Sequence, residues 1–206
     1  MAPEPAPLLR SSWFIKLLAI ILVVFLGIFD STTDCLAGQP DMEAGGPSEN
    51  EVKAAYLYNF AKFVYWPETA FKDEHSPIVI GILGNDPFGA VLEETLAGKK
   101  VGGRKFEVKR FKWVQDLERC NILYISSSEK QDLEKILEKI KGWGVLTVSD
   151  TEGFAERGVI LNLVKKLDKI RFKVNMDAAK DSRIKISSTL LQLTRIVTAQ
   201  SMDGDK

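Results

Sequence analysis

Residues 158–175 show the clearest repeat of apolar and polar positions in the chain. The segment 159–164 is mostly apolar and rich in β-formers, and a charged turn, 165–169, follows it. Beyond the turn, the apolar side chains of Ile170, Phe172 and Val174 occupy every second position. Two apolar runs around a short polar turn predict a β-hairpin, and the period of two predicts one buried face on its second strand.

The apolar pattern becomes helical after the hairpin. Asn175 stands where its side chain can cap a short helix. Ser188 or Thr189 can begin a last helix, because a broad apolar stripe runs from there to Val197. None of these residues resembles a catalytic group, so the stretch is interpreted as the structural core of a domain.

The segment before the hairpin alternates helix-like and strand-like runs. Aromatic and apolar side chains recur at three and four positions over 50–65, which predicts an amphipathic helix that stops before Pro67. A second helix is predicted to have Asp86 as its cap and to end near Leu96, and a third follows the serines 126–128. Strands are predicted at 78–83, 106–111, 122–126 and 145–148. The run 78–83 is continuously apolar, which predicts that both of its faces are covered, and 122–126 is also predicted to be buried.

Strands and helices in this order are typical of an α/β domain. Right-handed connections then give a mainly parallel sheet with helices on both faces, and the C-terminal hairpin adds antiparallel strands at one edge. We expect a three-layer Rossmann-like or flavodoxin-like arrangement. Neither G-x-G-x-x-G nor G-x-x-x-x-G-K-[ST] occurs in the sequence, so no nucleotide fingerprint accompanies this fold.

The N-terminal segment has the layout of a secretory signal peptide. Arg10 and Lys16 precede the apolar run 17–29, and the small residues Cys35 and Ala37 stand at the positions before a cleavage site. The apolar run is shorter than the ~20 residues that cross a bilayer comfortably, and an uncleaved signal anchor is the alternative. The chain is therefore expected to divide into a signal peptide 1–37, a linker 38–49, an α/β domain 50–198 and a tail 199–206.

Charge does not point to a nucleic-acid partner. Lys and Arg number 28, Asp and Glu also number 28, and the formal net charge is zero. Removal of the predicted signal peptide leaves this balance close to zero. A chain without excess positive charge has no general electrostatic attraction to nucleic acid, so we predict none as a partner.

The residue types of metal sites and common catalytic groups are scarce. The chain contains two cysteines, Cys35 and Cys120, and one histidine, His75. If Cys35 leaves with the signal peptide, the remaining thiol and imidazole are fewer than a usual zinc site requires. We predict no catalytic residue, no metal and no cofactor. Cys120 is expected to be a buried apolar residue, with a disulfide-linked homodimer as the alternative.

Polar residues follow three of the predicted strands, at the end of the sheet where ligand crevices of parallel sheets lie. These candidate ligand- or partner-binding residues are Asn85, Asp86, Ser126, Ser127, Ser128 and Asp150. Amides at the starts of the two following helices could bind an anion. The simpler interpretation is that Asp86 and the serines cap helices. Asp86 and Asp150 as an acid/base pair would lack a nucleophile.

Three segments, taken in order, resemble the YfiR/HmsC-like family. They are VKAAYLYNFAKFVYWP at 52–67, CNILYIS at 120–126, and IRFKVNMDAAK at 170–180 followed by IKISSTLLQL. The resemblance covers roughly residues 50–198. Two features depart from the family: many members carry a glycine where this chain has 181–183, and some carry cysteine pairs that this chain cannot form.

The resemblance implies a bacterial periplasmic protein of the same three-layer class. It implies that the protein represses an inner-membrane diguanylate cyclase by binding that enzyme's periplasmic part. An outer-membrane lipoprotein would sequester the repressor, and cyclic di-GMP signalling and biofilm formation would follow downstream. Two alternatives remain, a periplasmic small-ligand sensor that uses the crevice at the strand ends and an enzyme of unrecognised type.

Overall fold

The computed structural model of the chain describes residues 46–167, 169–192 and 195–197. The predicted signal peptide, most of the predicted linker and the predicted tail lie outside the described residues, as does Cys35. For 195–197 the backbone is described.

Five helices and ten strands make up the described part of the chain. The helices are α1 (Glu49–Phe63), α2 (Val91–Leu96), α3 (Leu133–Lys139), α4 (Met176–Asp181) and α5 (Ser188–Gln192). The strands are β1 (Val64–Tyr65), β2 (Ile78–Leu83), β3 (Lys100–Val101), β4 (Arg104–Phe111), β5 (Ile122–Ile125), β6 (Leu146–Ser149), β7 (Leu161–Lys166), β8 (Lys169–Asn175), β9 (Lys185–Ile186) and β10 (Arg195–Val197). The predicted α/β class is confirmed.

One sheet holds eight of these strands in the order β10-β8-β7-β6-β5-β2-β4-β3. The five central strands, from β4 to β7, are mutually parallel. The predicted C-terminal hairpin is formed by β7 and β8, which pair antiparallel with Leu163 opposite Phe172. The two remaining strands, β1 and β9, form a separate antiparallel pair.

The predicted last helix is shorter than its apolar stripe suggested. Helix α5 ends at Gln192, and the backbone of 195–197 forms β10, which pairs parallel with β8. Ile196 and Val197 are β-branched, which weakens their preference for a helix. The free edge of β8 offers backbone hydrogen bonds that a sequence pattern cannot anticipate. The prediction of a helix that continues to Val197 was therefore wrong.

The first helix also ends earlier than predicted. A capping box fixes its start: the Glu51 amide donates to Ser48 Oγ (3.2 Å) and the Ser48 amide donates to Glu51 Oε2 (2.6 Å). Its end is set by Val64 and Tyr65, which leave the helix to pair with β9. This pairing replaces the last helical turn that the apolar spacing had predicted.

Apolar side chains cover both faces of the sheet. On one face, Ile80 and Tyr124 pack in a cluster with Leu57 of α1 and Leu92 of α2. On the other face, Leu123 and Leu83 pack in a second cluster with the buried residues of α3. Successive side chains of a strand point to opposite faces, so the continuously apolar runs recognised in the sequence reflect this double coverage.

Two buried asparagines tie the loop after β6 to the sheet. Asn162 accepts a hydrogen bond from the Ala155 amide (3.2 Å) and donates to the Ser149 carbonyl (3.1 Å). Asn175 donates to the Ala155 carbonyl (2.7 Å) and accepts from the Ala178 amide (2.9 Å). The second contact caps α4, so the predicted capping role of Asn175 is confirmed.

Cys120 is buried directly before β5, as its apolar neighbours predicted. The packing there is tight, because a Cβ atom at Gly81 would lie 3.0 Å from the Phe111 ring and 3.1 Å from Cys120 Sγ. Burial raises the pKa of the Cys120 thiol to about 12. The thiol is therefore protonated and shielded at neutral pH.

In a Cys35→Ser background, Cys120 is expected to be inert towards 5,5′-dithiobis(2-nitrobenzoic acid) at about pH 8 in the native protein, because the thiolate is the reactive form. The chain unfolded in urea should react fully over the same time. Cys120→Ser should lower the free energy of unfolding by about 1–3 kcal/mol, measured by urea titration, because the substitution places a hydroxyl in this buried apolar site. Rapid labelling of the native protein would contradict this description of the site.

Candidate functional site

The polar turns that follow β2 and β5 meet at the carboxyl end of the sheet. The Asn85 amide donates to Ser128 Oγ (3.1 Å), and Ser128 Oγ donates to Glu129 Oε1 (2.8 Å). Gly84 has a positive φ of 84°, and a Cβ atom there would collide with Ser128 and Glu129. A glycine is required at this position by both the backbone conformation and the close approach of the two turns.

The serines do not cap a long helix. Ser126 is buried, and its Oγ accepts from the Ser128 amide (3.4 Å) at the start of a single 3-10 turn, Ser127–Glu129. Helix α3 begins later, at Leu133, where the preceding Asp132 makes no side-chain cap. The prediction that the serines cap the amphipathic helix was therefore wrong, because a separate turn uses their hydrogen bonds first.

Asp86 does not cap a helix either. Its Oδ1 accepts from the Phe88 amide (2.7 Å), which closes a local turn, and α2 begins only at Val91 after an uncapped Ala90. Asp86 Oδ2 accepts from Arg110 Nε (2.7 Å), a partner that lies on the neighbouring strand β4. The predicted capping role of Asp86 was thus wrong, and the carboxylate links a turn to an arginine instead.

Arg110 joins Asp86 to the start of α2. Its guanidinium also donates to Glu93 Oε2 (3.1 Å) and to the Gly89 carbonyl (2.7 Å). The hydrogen bonds that Arg110 donates lower the pKa of Glu93, and its hydrogen bonds to Glu93 and Asp86 raise the pKa of Arg110. All three charges are partly exposed, so this group positions the turn more than it stabilises the fold.

Asp150 is held by a buried lysine from α1. Lys53, 8% exposed, places its ammonium 2.6 Å from Asp150 Oδ2 and 2.7 Å from Glu49 Oε1. Burial lowers the pKa of Lys53, but the hydrogen bonds to Asp150 and Glu49 outweigh it, and the net pKa is raised. The hydrogen bonds that Glu49 accepts from Lys53 and Lys165 lower the pKa of Glu49. These charges form a connected group across α1, β6 and β7.

Tyr124 adds a hydroxyl to the same group. Its side chain is buried on β5, with its hydroxyl near the Asp150 carboxylate. Burial, then the charge of Asp150, raise the pKa of Tyr124, so the phenol stays protonated. Phe88 packs edge-on against the Tyr124 ring with centroids 4.9 Å apart. The turn shaped by Asp86 is therefore linked to the Asp150 group through two aromatic rings.

A cleft of about 1070 Å³ opens beside Asp150, at the carboxyl ends of β6 and β7. Asp150 and Glu152 line it, as do basic side chains of the β7–β8 hairpin. Of the six candidate residues, Asp150 alone lies on this cleft. Asn85, Ser126 and Ser128 meet at the junction of two turns, and Ser127 is exposed beside them.

Sequence reasoning missed four residues of this site, which are Lys53, Tyr124, Lys166 and Arg171. The sequence contains one indication that Lys53 is functional. Lys53 lies four residues before Leu57 on the apolar stripe of α1, and a charged residue on such a stripe requires a buried partner. The identity of that partner, 97 residues away in sequence, depends on the fold.

The sequence model of the YfiR/HmsC-like family matches residues 50–195. This covers more than half of the chain, so the protein belongs to the YfiR/HmsC-like family. The three segments that suggested this family all lie in the matched region. No curated protein sequence matches the chain.

Parts of the chain are similar to solved structures at low sequence identity. A conserved domain protein from Vibrio cholerae O1 biovar El Tor is 14% identical with a TM-score of 0.51, over 73% of this chain and 60% of that one. The ABC domain in complex with L-Trp from Streptococcus pneumonia is 10% identical (TM-score 0.44; 58% and 56% covered). A substrate binding protein with adhesive properties from Clostridium difficile is 12% identical (TM-score 0.44; 59% and 55% covered). The chain thus spans 55% to 60% of these structures.

Family membership supports a periplasmic regulatory role rather than a catalytic one. Among the helices in the described ranges, none has the length and apolar character needed to cross a membrane. The same residues contain no group of three or more His, Cys, Asp or Glu side chains that could hold a metal ion.

Loss of Lys53 should strongly destabilise the protein, and a compensating change at Asp150 should offset that loss. Lys53→Met should lower the free energy of unfolding by about 3 kcal/mol, because it leaves the Asp150 carboxylate without its cation in a mostly buried site. Urea unfolding provides the measurement.

The double variant Lys53→Met/Asp150→Asn should recover much of that loss, since replacing both partners removes the unpaired charge. Lys135→Met, which breaks an exposed ion pair at the start of α3, is the matched control and should leave the stability almost unchanged. Additive losses in the double variant would show that the two side chains do not depend on each other.

Proposed function

We propose that this protein represses an inner-membrane diguanylate cyclase by binding the periplasmic part of that enzyme. The observation that carries the proposal is the match of the YfiR/HmsC-like family over residues 50–195. On this proposal the protein acts by occupying its partner, and cyclic di-GMP levels respond downstream. The proposed route to the periplasm is the signal peptide 1–37.

The chemistry of the strand ends agrees with a binding role. Asp86 and Asp150, the two carboxylates that stood out in the sequence, each hold a basic side chain at 2.6–2.7 Å. A carboxylate engaged in this way already has a hydrogen-bonded basic partner, which suits it to position a surface.

The proposal extends to two further interactions. An outer-membrane lipoprotein would sequester the repressor and so release the cyclase. A homodimer would present two copies of the binding surface to a dimeric membrane protein. Capture of partners from host membranes tests for the lipoprotein. Sedimentation of the purified protein tests for the homodimer.

Deletion of the gene in its host should raise cyclic di-GMP and increase biofilm, and expression of the secreted protein should reverse both. A copy without residues 1–37 is the matched control, since it keeps the domain but should remain in the cytoplasm and fail to complement. Nucleotide extraction with mass spectrometry gives the measurement. Cyclic di-GMP that stays unchanged on deletion, under ordinary growth and envelope stress, would rule out the cyclase as the target.

A second function, small-ligand sensing, has one specific observation in its favour. The cleft of about 1070 Å³ beside Asp150 is large enough for a metabolite. It also lies at the carboxyl ends of parallel strands, where ligands of such sheets bind.

On this second function, a panel of envelope metabolites should contain a compound that raises the melting temperature of the protein. Asp150→Asn should reduce that rise, and Asp86→Asn, away from the cleft, should not. A panel without any shift, in a protein that still represses the cyclase, would leave repression as the sole function.

A further inference from the structure

The β7–β8 hairpin concentrates positive charge. We call residues 165–173 the basic hairpin; this segment contains five basic side chains and one acidic side chain, Asp168, which lies outside the described residues. Two of the basic side chains have acidic partners on other elements, Lys165 with Glu49 at 3.1 Å and Lys173 with Glu156 at 2.7 Å. These two pairs anchor the hairpin at either end.

The other three basic side chains share one face. Strand register places Lys166 directly opposite Lys169, and Val164 opposite Arg171. Because alternate residues of β8 face the core through Ile170 and Phe172, Lys169 and Arg171 point away from it. Within the described part of the chain, Lys166, Lys169 and Arg171 have no ion-pair partner, and all three are exposed.

Such a face is unfavourable for an isolated protein. Like charges directly opposite each other on neighbouring strands destabilise a hairpin. The repulsion would be relieved by a surface that supplies several negative charges at once. The register of β7 and β8 therefore points to a polyanionic partner.

The tip of the basic hairpin carries an apolar side chain. Leu167 is 87% exposed, and its φ of 49° lies in the left-handed region that disfavours residues with a Cβ atom. Asparagine or glycine would fit this turn with less strain. An exposed leucine held in an unfavourable conformation, next to Lys166 and Lys169, indicates a role outside the folded monomer.

We propose that the basic hairpin docks on an anionic phospholipid membrane, with Lys166, Lys169 and Arg171 on the phosphates and Leu167 inserted among the acyl chains. Basic residues combined with an apolar side chain at the tip are the combination that binds reversibly to anionic lipid surfaces. A soluble polyanion would use the charges but not Leu167. This inference stands independently of the identity of the protein partner.

The hairpin is supported from behind in a way that suits docking. The Tyr56 hydroxyl of α1 donates to the Ile170 carbonyl (2.9 Å), and Lys165 pairs with Glu49 on the same helix. These contacts hold the core-facing side of the hairpin against α1. Its basic face and its tip are thereby presented outward without a change in the fold.

The first test follows the tip itself. In a Cys35→Ser background, Leu167→Cys is labelled with an environment-sensitive nitrobenzoxadiazole dye and mixed with vesicles of phosphatidylcholine and phosphatidylglycerol in equal parts. The dye emission should shift to the blue and strengthen, whereas vesicles of phosphatidylcholine alone should leave it unchanged. An unchanged emission with the anionic vesicles would overturn insertion of the tip.

The second test measures co-sedimentation of the unlabelled protein with the same vesicles. Lys166→Glu/Lys169→Glu should reduce the partition coefficient about tenfold or more. Lys135→Glu/Lys141→Glu, which makes the same charge change at exposed positions on α3 and just after it, is the matched control and should reduce it far less. Equal losses in the two double variants would show that net charge, and not the hairpin, governs binding.

Leu167→Gly separates the membrane from soluble anions. Glycine fits the left-handed turn, so this variant should fold at least as stably as the wild type, as a thermal melt by circular dichroism will show, yet bind vesicles more weakly. Vesicle binding that survives Leu167→Gly, or that inorganic phosphate displaces more than chloride at equal ionic strength, would overturn the proposal in favour of a soluble anion.

Discussion

The buried ammonium group of Lys53 constrains how α1 lies on the sheet. The helix carries Leu57 and Phe60 into the core, and the same stripe brings a full positive charge below the surface. That charge is tolerable only where carboxylates meet it, and Asp150 after β6 and Glu49 on α1 provide them. The helix is thereby fixed along its axis, because a shift of one residue would separate Lys53 from Asp150.

The charged group at the strand ends reaches the cleft through its neighbours. Asp150 accepts a hydrogen bond from Lys53 on one side and lines the cleft on the other. Glu49 extends the group to Lys165 on the hairpin. One network of charges therefore connects the first helix, the central strands and the C-terminal hairpin.

The sheet itself allows this arrangement because it is covered on both faces. Apolar clusters against α1 and α2 on one side and α3 on the other leave the strand ends and the hairpin as places for polar chemistry. The buried asparagines 162 and 175 then fasten the loop after β6. The stability of the fold thus resides in the layers, and the surfaces available for recognition lie at their ends and edges.

The sequence by itself determined the α/β class, the strands of the central sheet, the C-terminal hairpin, the cap at Asn175 and the burial of Cys120, because each depends on local periodicity or on a short-range hydrogen bond. The sequence also showed which family the protein belongs to. Tertiary structure decided which partners the polar groups meet. Asp86 and the serines can satisfy a turn or a helix equally well in sequence, and only the positions of Arg110 and the neighbouring turn select between these outcomes. The same holds for β10, whose residues suit a helix or a strand until the free edge of β8 is present. The pairing of Lys53 with Asp150 depends on long-range packing, and no local pattern specifies it.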